Sequence, residues 1–318
     1  MPTNSFRNSV TLFFVLQICN IFLFAQDSPV KNSKNYIIVL GITQDGGFPH
    51  AGCQKSCCAE AWKNPELRKN VACLGIVDQE SNTGWMIDAT PDFKFQLHTL
   101  QNLEQNIIKL GGILLTHGHI GHYTGLMHLG REVMGAKSVP VYAMPRMVKF
   151  LSGSGPWEQL ILLHNIDLVQ IEENKPIPLS ETISVTPILV PHRDEYTETV
   201  GYLIHGPDKS CLYISDIDKW DSWDQQIEEL ISQVDYAFLD ATFYDQNEIP
   251  GRDMSEIPHP FIIESMSRFK KLTSEKRSKI YFIHFNHTNP VLQQDIPVRE
   301  KIRLAGFNIP VEGLKVEL

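Results

Sequence analysis

Three histidines, His117, His119 and His122, fall within the stretch His117-Gly-His-Ile-Gly-His122. Imidazole is the commonest protein ligand for zinc and its neighbours, and a catalytic zinc takes about three protein ligands and keeps one position open. One surface histidine means little, but three at this spacing point to a metal site. Farther along, three apolar runs each end in another metal-binding residue type: Val190-Pro-His192, Tyr213-Ile-Ser-Asp216 and Tyr281-Phe-Ile-His284. A lone histidine at such a place is usually a surface or hydrogen-bonded residue, so the repetition is the signal. Together the set offers the nitrogen and oxygen donors that a two-metal hydrolytic site requires. Asp218 is a nearby spare carboxylate, facing solvent or supporting a ligand from behind. A second cluster is Cys53-Gln-Lys-Ser-Cys57-Cys58. Outside the cytosol, clustered cysteines default to a disulfide. A bond between the neighbours Cys57 and Cys58 is strained, however, and pairing either with Cys53 leaves one over. Structural zinc on thiolates is the competing account.

These side chains need elements to hold them. The run Gly112-Ile-Leu-Leu-Thr116 has the length and bounding signals of a buried strand, which puts the histidines on the loop at its C-terminal end. A helical pattern with Leu126, Leu129 and Val133 leads away from that loop. Upstream, strands are expected over Tyr36–Gly41, Val71–Asp78 and Gly84–Asp88. An amphipathic helix is expected over Pro91–Asn106, with Phe95, Leu97, Leu100 and Leu103 as its buried stripe. Downstream, Val139–Ala143, Ile183–Val190, Thr199–Ile204, Cys211–Ser215, Tyr236–Leu239 and Lys279–Ile283 read as strands. Helices are expected from Pro145, over Asp224–Ser232 and over Pro260–Lys271. Strands alternating with helices along the chain fit a layered α/β body. No period of a solenoid repeat is present. The loop Ser152-Gly-Ser-Gly-Pro156 lacks the flanking strand and lysine of a phosphate cradle.

The chain has 318 residues and a formal charge of −9, with 28 basic and 37 acidic side chains. Nucleic-acid binders usually carry a basic face, so this balance argues against such a partner. Residues 1–25 read as a secretory signal peptide: Arg7 gives the positive start, Val10 to Phe24 the apolar stretch, and Ala25 a small residue for cleavage. An uncleaved anchor and a lipoprotein using Cys19 are the alternatives. Residues 26–35 then form a polar linker, and residues 36–318 a single domain. The expected location is secreted or periplasmic.

His117-Gly-His-Ile-Gly-His122 resembles the HxHxDH signature of the metallo-β-lactamase superfamily, with Gly121 where the family has aspartate. The resemblance implies an αββα sandwich: two mixed sheets face to face, helices outside, and the site along one edge where strand ends converge. It implies that His117, His119 and His192 hold one metal, that Asp216 bridges, and that His122 and His284 hold a second whose ligand set is one short. Within the superfamily, Gly46-Gly-Phe-Pro49, Pro191-His-Arg193, Asp240-Ala-Thr-Phe243 and Asn286-His-Thr-Asn-Pro290 together resemble the pyrroloquinoline-quinone biosynthesis B group. That likeness covers most of the chain after residue 36. The group has a degraded first metal motif, whereas all three histidines are kept here.

The phosphodiesterase of the carbon–phosphorus lyase pathway is a second likeness. Its cysteine cluster closes a structural zinc with a histidine three residues beyond the last metal ligand. Cys53 and Cys58 keep the outer spacing and His287 follows His284 by three. This resemblance implies structural zinc on Cys53, Cys58 and His287, with Cys57 as fourth ligand. It also makes His259, in Ile257-Pro-His-Pro260, a general acid, with a loop histidine held between prolines as the alternative.

The expected function is a secreted metal-dependent hydrolase in which a metal-activated water attacks a phosphodiester, a lactone or a similar ester. Asp216 and His259 are its catalytic groups, and zinc, with manganese or iron(II) as alternatives, occupies one or two positions. Rival readings are an oxidative iron enzyme linked to pyrroloquinoline-quinone synthesis and a metal or ligand carrier without turnover. The partner is a small molecule, with no nucleic acid and, once the leader is removed, no membrane; the oligomeric state stays open. Specificity is expected in the loops 152–163 and 245–258.

Overall fold

Strand β1 (Tyr36–Gly41) is apolar throughout and every residue of it is buried, as suits a strand covered on both faces. The computed structural model describes residues 35–104, 106–293 and 296–318, together with Met1. The leader expected over residues 1–25, with Cys19, and the linker up to residue 34 lie outside the described residues, apart from Met1 itself. After β1 come β2 (Cys73–Asp78), β3 (Thr83–Ile87), β4 (Lys109–Leu114), β5 (Val139–Ala143) and β6 (Ile166–Gln170). The second half supplies β7 (Ile177–Pro178), β8 (Ser184–Leu189), β9 (Val200–His205), β10 (Ser210–Ile214), β11 (Tyr236–Asp240) and β12 (Ile280–Ile283), and β13 (Lys315–Glu317) ends the chain.

The strands form two sheets. One runs β13-β1-β2-β3-β4-β5-β6 and the other β12-β11-β10-β9-β8-β7. Each is mixed: β3, β4, β5 and β6 are parallel, as are β10, β11 and β12, and the remaining pairings are antiparallel. Alternation along β1 shows how the layers stack. Ile37 and Val39 join a core shared with Tyr202, Tyr213 and Phe238 of the other sheet. Ile38 and Leu40 face the opposite way, toward Phe93, Leu97 and Leu100. This is the αββα sandwich of the α/β class: two sheets face to face with helices outside.

The helices are α1 (Ser56–Lys63), α2 (Phe93–Gln101), α3 (Ile120–Tyr123), α4 (Pro145–Ser152), α5 (Trp157–Leu162), α6 (Ile227–Gln233), α7 (Ile262–Phe269), α8 (Ser274–Arg277) and α9 (Ile296–Leu304). Helices α2, α4 and α5 cover the first sheet, and α6, α7 and α9 the second. Among the described residues no helix is long and apolar enough to cross a membrane.

Three local expectations change. Helix α2 is shorter than Pro91–Asn106, and its stripe is Phe93, Leu97 and Leu100. Phe95 lies two positions off that stripe and is 56% exposed. The expected helix through Val133 is replaced by α3 and a 3-10 turn over Thr124–Leu129. Leu126 and Leu129 are buried but Val133 is exposed. The cause is local: a Cβ at Gly125 would lie 2.2 Å from the carbonyl oxygen of Thr90, so this segment presses its backbone against the loop after β3. Finally, part of the supposed loop 152–163 is α5.

Candidate metal centre

The C-terminal ends of strands from both sheets converge on one edge of the sandwich. Asp88 follows β3, His117 follows β4, His192 follows β8, Asp216 follows β10, Asp240 closes β11 and His284 follows β12. Donor atoms of His117, His119 and His192 lie within 4.8 Å of one another, as do those of His117, His122 and Asp216. The Asp216 carboxylate spans the gap. Its Oδ2 is 3.3 Å from His122 Nε2 and 3.5 Å from His284 Nε2, and its Oδ1 is 3.9 Å from His192 Nε2. The six ligand residues named by the sequence therefore meet.

Of the support behind them, the sequence announced only Asp218. Each imidazole turns one nitrogen inward because the other is engaged. His122 Nδ1 donates to Asp88 Oδ2 at 2.7 Å, and Asp88 also accepts from the Thr116 amide and hydroxyl. His117 Nδ1 lies 3.0 Å from Thr116 Oγ1. The opposite half repeats the device: Asp240 Oδ1 accepts from the Thr242 hydroxyl at 2.7 Å, and Thr242 Oγ1 lies 3.0 Å from His284 Nδ1. His192 Nδ1 faces Asp218 Oδ1 at 3.2 Å, which gives Asp218 the supporting role, and His119 Nε2 faces Glu195 at 3.0 Å. Such outer partners fix ring orientation and tautomer and raise the basicity of the inward nitrogen. Asp88 and His284 sit at φ +73° and +69°, a sparsely populated region for such residues. Strain of that kind gathers where a site dictates the backbone.

His117 Nε2 and His119 Nδ1 lie 2.9 Å apart, while other inward atoms make no hydrogen bond. His122 Nε2, His192 Nε2, His284 Nε2, Asp216 Oδ2 and Asp45 Oδ1 are all buried without a hydrogen bond. A buried polar atom left unpaired costs roughly 1–3 kcal/mol, so five converging on one place fit a cationic guest. Burial, with the charges of His122, His119 and His192, holds His117 well below the usual imidazole range, which leaves its lone pair available, whereas, against burial, the carboxylates of Asp216, Asp88 and Asp45 hold His122 well above it. Burial disfavours the charge on Asp216, yet the surrounding imidazoles of His284, His122, His117 and His192 keep its carboxyl well below the usual range.

His259 is buried and its Nδ1 bonds Asp240 Oδ2 at 2.6 Å. Burial works against its charge, but the Asp240 carboxylate holds it above the ordinary imidazole value. It is thus not a loop histidine held only by Pro258 and Pro260. A donor atom of His259 also comes within 4.8 Å of those of His192 and Asp216.

The cysteine cluster is separate. Cys53 precedes α1, Cys57 and Cys58 lie in its first turn, and His287 lies in the turn after β12; their donor atoms fall within 4.8 Å of one another. The thiols are free, with Cys53 Sγ 3.6 Å from Cys57 Sγ, beyond any disulfide bond length. Burial pushes the Cys58 thiol up to about 12 and the His287 imidazole down to about 4. Against burial, the Lys55 amide and the neighbouring thiols hold the Cys53 thiol below its ordinary value.

Asp45 escaped the sequence reading. It stands in the turn after β1 with its Oδ1 3.4 Å from His122 Nε2, grouped with His122 and His284. Nothing in Gln44-Asp-Gly-Gly47 separates it from an ordinary turn aspartate. Asp88 could have been found, since Trp85-Met-Ile-Asp88 repeats the pattern of an apolar strand ending in a carboxylate. Asp45 also forms part of the wall of a cavity of about 730 Å³ whose other lining residues include Phe48, Trp62, Arg68, Phe95 and Ile120. This chamber adjoins the second half of the site.

A family profile described as "Beta-lactamase superfamily domain" matches residues 85–285. The chain is 24% identical over 310 residues to the "Coenzyme PQQ synthesis protein B" of Methylorubrum populi, covering 89% of this chain and 100% of that one. It is 23% identical over 317 residues to the protein of the same name from Pseudomonas savastanoi pv. phaseolicola, again covering 89% and 100%. Among solved structures, Zn(2+)-bound PqqB from Methylobacterium extorquens superposes with a TM-score of 0.75 at 20% identity, over 89% of this chain and 100% of that one. A diphosphatase from the PhnP family superposes with a TM-score of 0.61 at 24% identity, over 90% and 97%.

Proposed function

The chain belongs to the beta-lactamase superfamily, and we propose that it is a metal-dependent hydrolase of a small ester-type substrate such as a phosphodiester or a lactone. The observation that carries this reading is the set of inward-facing, unpartnered donors of His122, His192, His284 and Asp216, joined by His117 and His119. Zinc suits these nitrogen and oxygen donors, with manganese and iron(II) as alternatives. Bound there, the metal supplies a water of lowered pKa and polarises the attacked phosphoryl or carbonyl oxygen. Asp216 accepts a hydrogen bond from the attacking water and sets its direction. His259 acts at the other end of the reaction. With Nδ1 donated to Asp240, its Nε2 is free to give a proton to the leaving oxygen, and the Asp240 carboxylate stabilises the charged ring until it does. Arg193, beside His117 and His119 at the outer face, supplies positive charge toward an anionic group.

Trp62, Phe95 and Ile120 are exposed apolar side chains lining the adjoining cavity, which supports a substrate with an apolar portion next to its ester. The leader read from residues 1–25 supports action outside the cytosol, secreted or periplasmic. The four-ligand group Cys53, Cys57, Cys58 and His287 supports a structural zinc.

One observation favours a second reading. The similarity to coenzyme PQQ synthesis protein B runs over 89% of the chain, and histidine and carboxylate ligands also hold redox iron. On that reading the protein serves synthesis of this coenzyme by oxygen chemistry. The test is to load the purified protein with zinc, manganese or iron in turn and to follow ester cleavage and oxygen uptake. Cleavage of phosphodiester, lactone or thioester probes with zinc or manganese, lost in His117→Ala, is the expected result. Oxygen uptake with iron and no cleavage by any form overturns it.

A further inference from the structure

Gly121 leaves the second half of the centre without the carboxylate that the HxHxDH signature would place there, and the structure offers a replacement. A Cβ built on Gly121 would lie 1.9 Å from Asp45 Oδ1 and 2.7 Å from Asp45 Cα. A side chain at 121 and the side chain of Asp45 therefore exclude each other: they compete for one volume. From that volume Asp45 Oδ1 comes to 3.4 Å from His122 Nε2, within reach of His284, and it is buried without a hydrogen bond. A carboxylate oxygen of that kind is costly to bury unless a cation receives it.

Asp45 also stands on a pinned loop. The Gln44 amide donates to the Phe285 carbonyl at 2.9 Å, and the Phe285 amide returns a bond to the Ile42 carbonyl at 2.9 Å. The backbone carrying Asp45 is thereby locked in register with the backbone next to His284. Farther along the same segment, Cys53, Cys57 and Cys58 meet His287, three residues beyond His284. Two ties hold this loop against the turn that bears the second-site histidine.

We propose that Asp45 is the carboxylate ligand of a second metal position with His122, His284 and Asp216, taking over from the turn after β1 the role that position 121 has given up. This rests on the metal-centre reading above. It makes the centre dinuclear despite Gly121, with one ligand carried on a loop that also walls the adjoining cavity.

The test is metal stoichiometry by elemental analysis, with the cobalt-substituted protein's absorption spectrum separating nitrogen–oxygen sites from the thiolate site. Asp45→Ala should bind one equivalent fewer than the unaltered protein, with the thiolate bands unchanged. Asp45→Asn, which keeps the size and loses the charge, should give up that equivalent to a chelator before the unaltered protein does. Retention of the full metal content by Asp45→Ala overturns the proposal, as does an Asp45→Asn protein that yields its metal no sooner than the unaltered one. An unaltered protein whose cobalt spectrum contains only thiolate bands is a different failure: it removes the metal-centre reading itself.

Discussion

Two groups of metal-binding side chains share this body, and they are built on opposite plans. The histidine–aspartate cradle sits at the ends of strands from both sheets, and its ligands come from residues far apart in sequence. It is buried, and each ring is held from behind by Asp88, Thr116, Asp218, Asp240, Thr242 or Glu195. The Cys53, Cys57, Cys58 and His287 group sits on a loop and the first turn of α1, beside a small apolar cluster of Phe48, Cys58 and Ala61. It has sulphur where the cradle has nitrogen and oxygen, and the bonds recorded for its thiols involve no carboxylate. The contrast separates two tasks. Strand ends are positioned by the whole core, so the cradle needs no ion to exist and can leave coordination positions open. The loop is held by the backbone bonds between Phe48 and Lys69 and by its small apolar cluster, and on the proposed reading a closed four-ligand zinc would fix it further.

The sharpest way to break the contrast is to remove one ligand from each group. His192→Ala should lower kcat/KM by ~10³-fold or more, since the activated water is lost with the metal, while lowering the thermal midpoint less than the loss of a thiolate ligand does. Activity on ester probes and calorimetry on the same preparation check it. Cys58→Ala should cost more in stability, lowering the midpoint by roughly 5–10 °C. Its activity should fall less than that of His192→Ala, because the cradle's first position has no part on this loop. A Cys58→Ala protein that melts like the unaltered one would erase the distinction.

Support from behind is the next thing to remove. Asp88→Asn keeps the shape but takes away the charge that orients His122. The expected loss is about 10–100-fold in metal affinity, read by competition with a chelator, with the thiolate site unaffected.

The smallest effect lies outside both groups and serves as a control. Burial raises Glu312 to about 7 from 4.5, although its Oε1 accepts the Asn70 amide at 2.6 Å. The folded protein keeps a proton here that the unfolded chain releases between those two values. Stability is therefore fully present below pH about 4.5 and falls as pH rises toward about 7. Glu312→Gln should remove that part of the slope and gain on the order of 1–2 kcal/mol near pH 8. Denaturant titrations across that pH range check the sign, and neither cluster's metal content should respond.

The cradle was legible where a strand announces itself and then ends in a ligand, as at Thr116-His117, Ile214-Ser-Asp216 and Ile283-His284. Both period and chemistry are local there, so the sequence carries them. The sandwich followed from the same strands, and the family resemblance supplied their arrangement in two sheets. Asp45 was illegible because its role depends on an absence 76 residues away, at Gly121, and on a loop register set by Phe285. Asp240 was visible within a motif, but its bond to His259 joins a strand end to a loop that no periodicity relates to it. The edge strand β6 and the C-terminal β13 went unread because short, half-exposed strands lack the apolar run that marks a buried one.

The most direct measurement is anomalous scattering from crystals of the zinc-loaded protein, collected on both sides of the zinc edge. The account predicts density peaks in the cradle, one among His117, His119 and His192 and one among Asp45, His122 and His284, besides a peak among the three cysteines and His287. A map with zinc at the cysteines and none in the cradle, from protein saturated with metal, contradicts it.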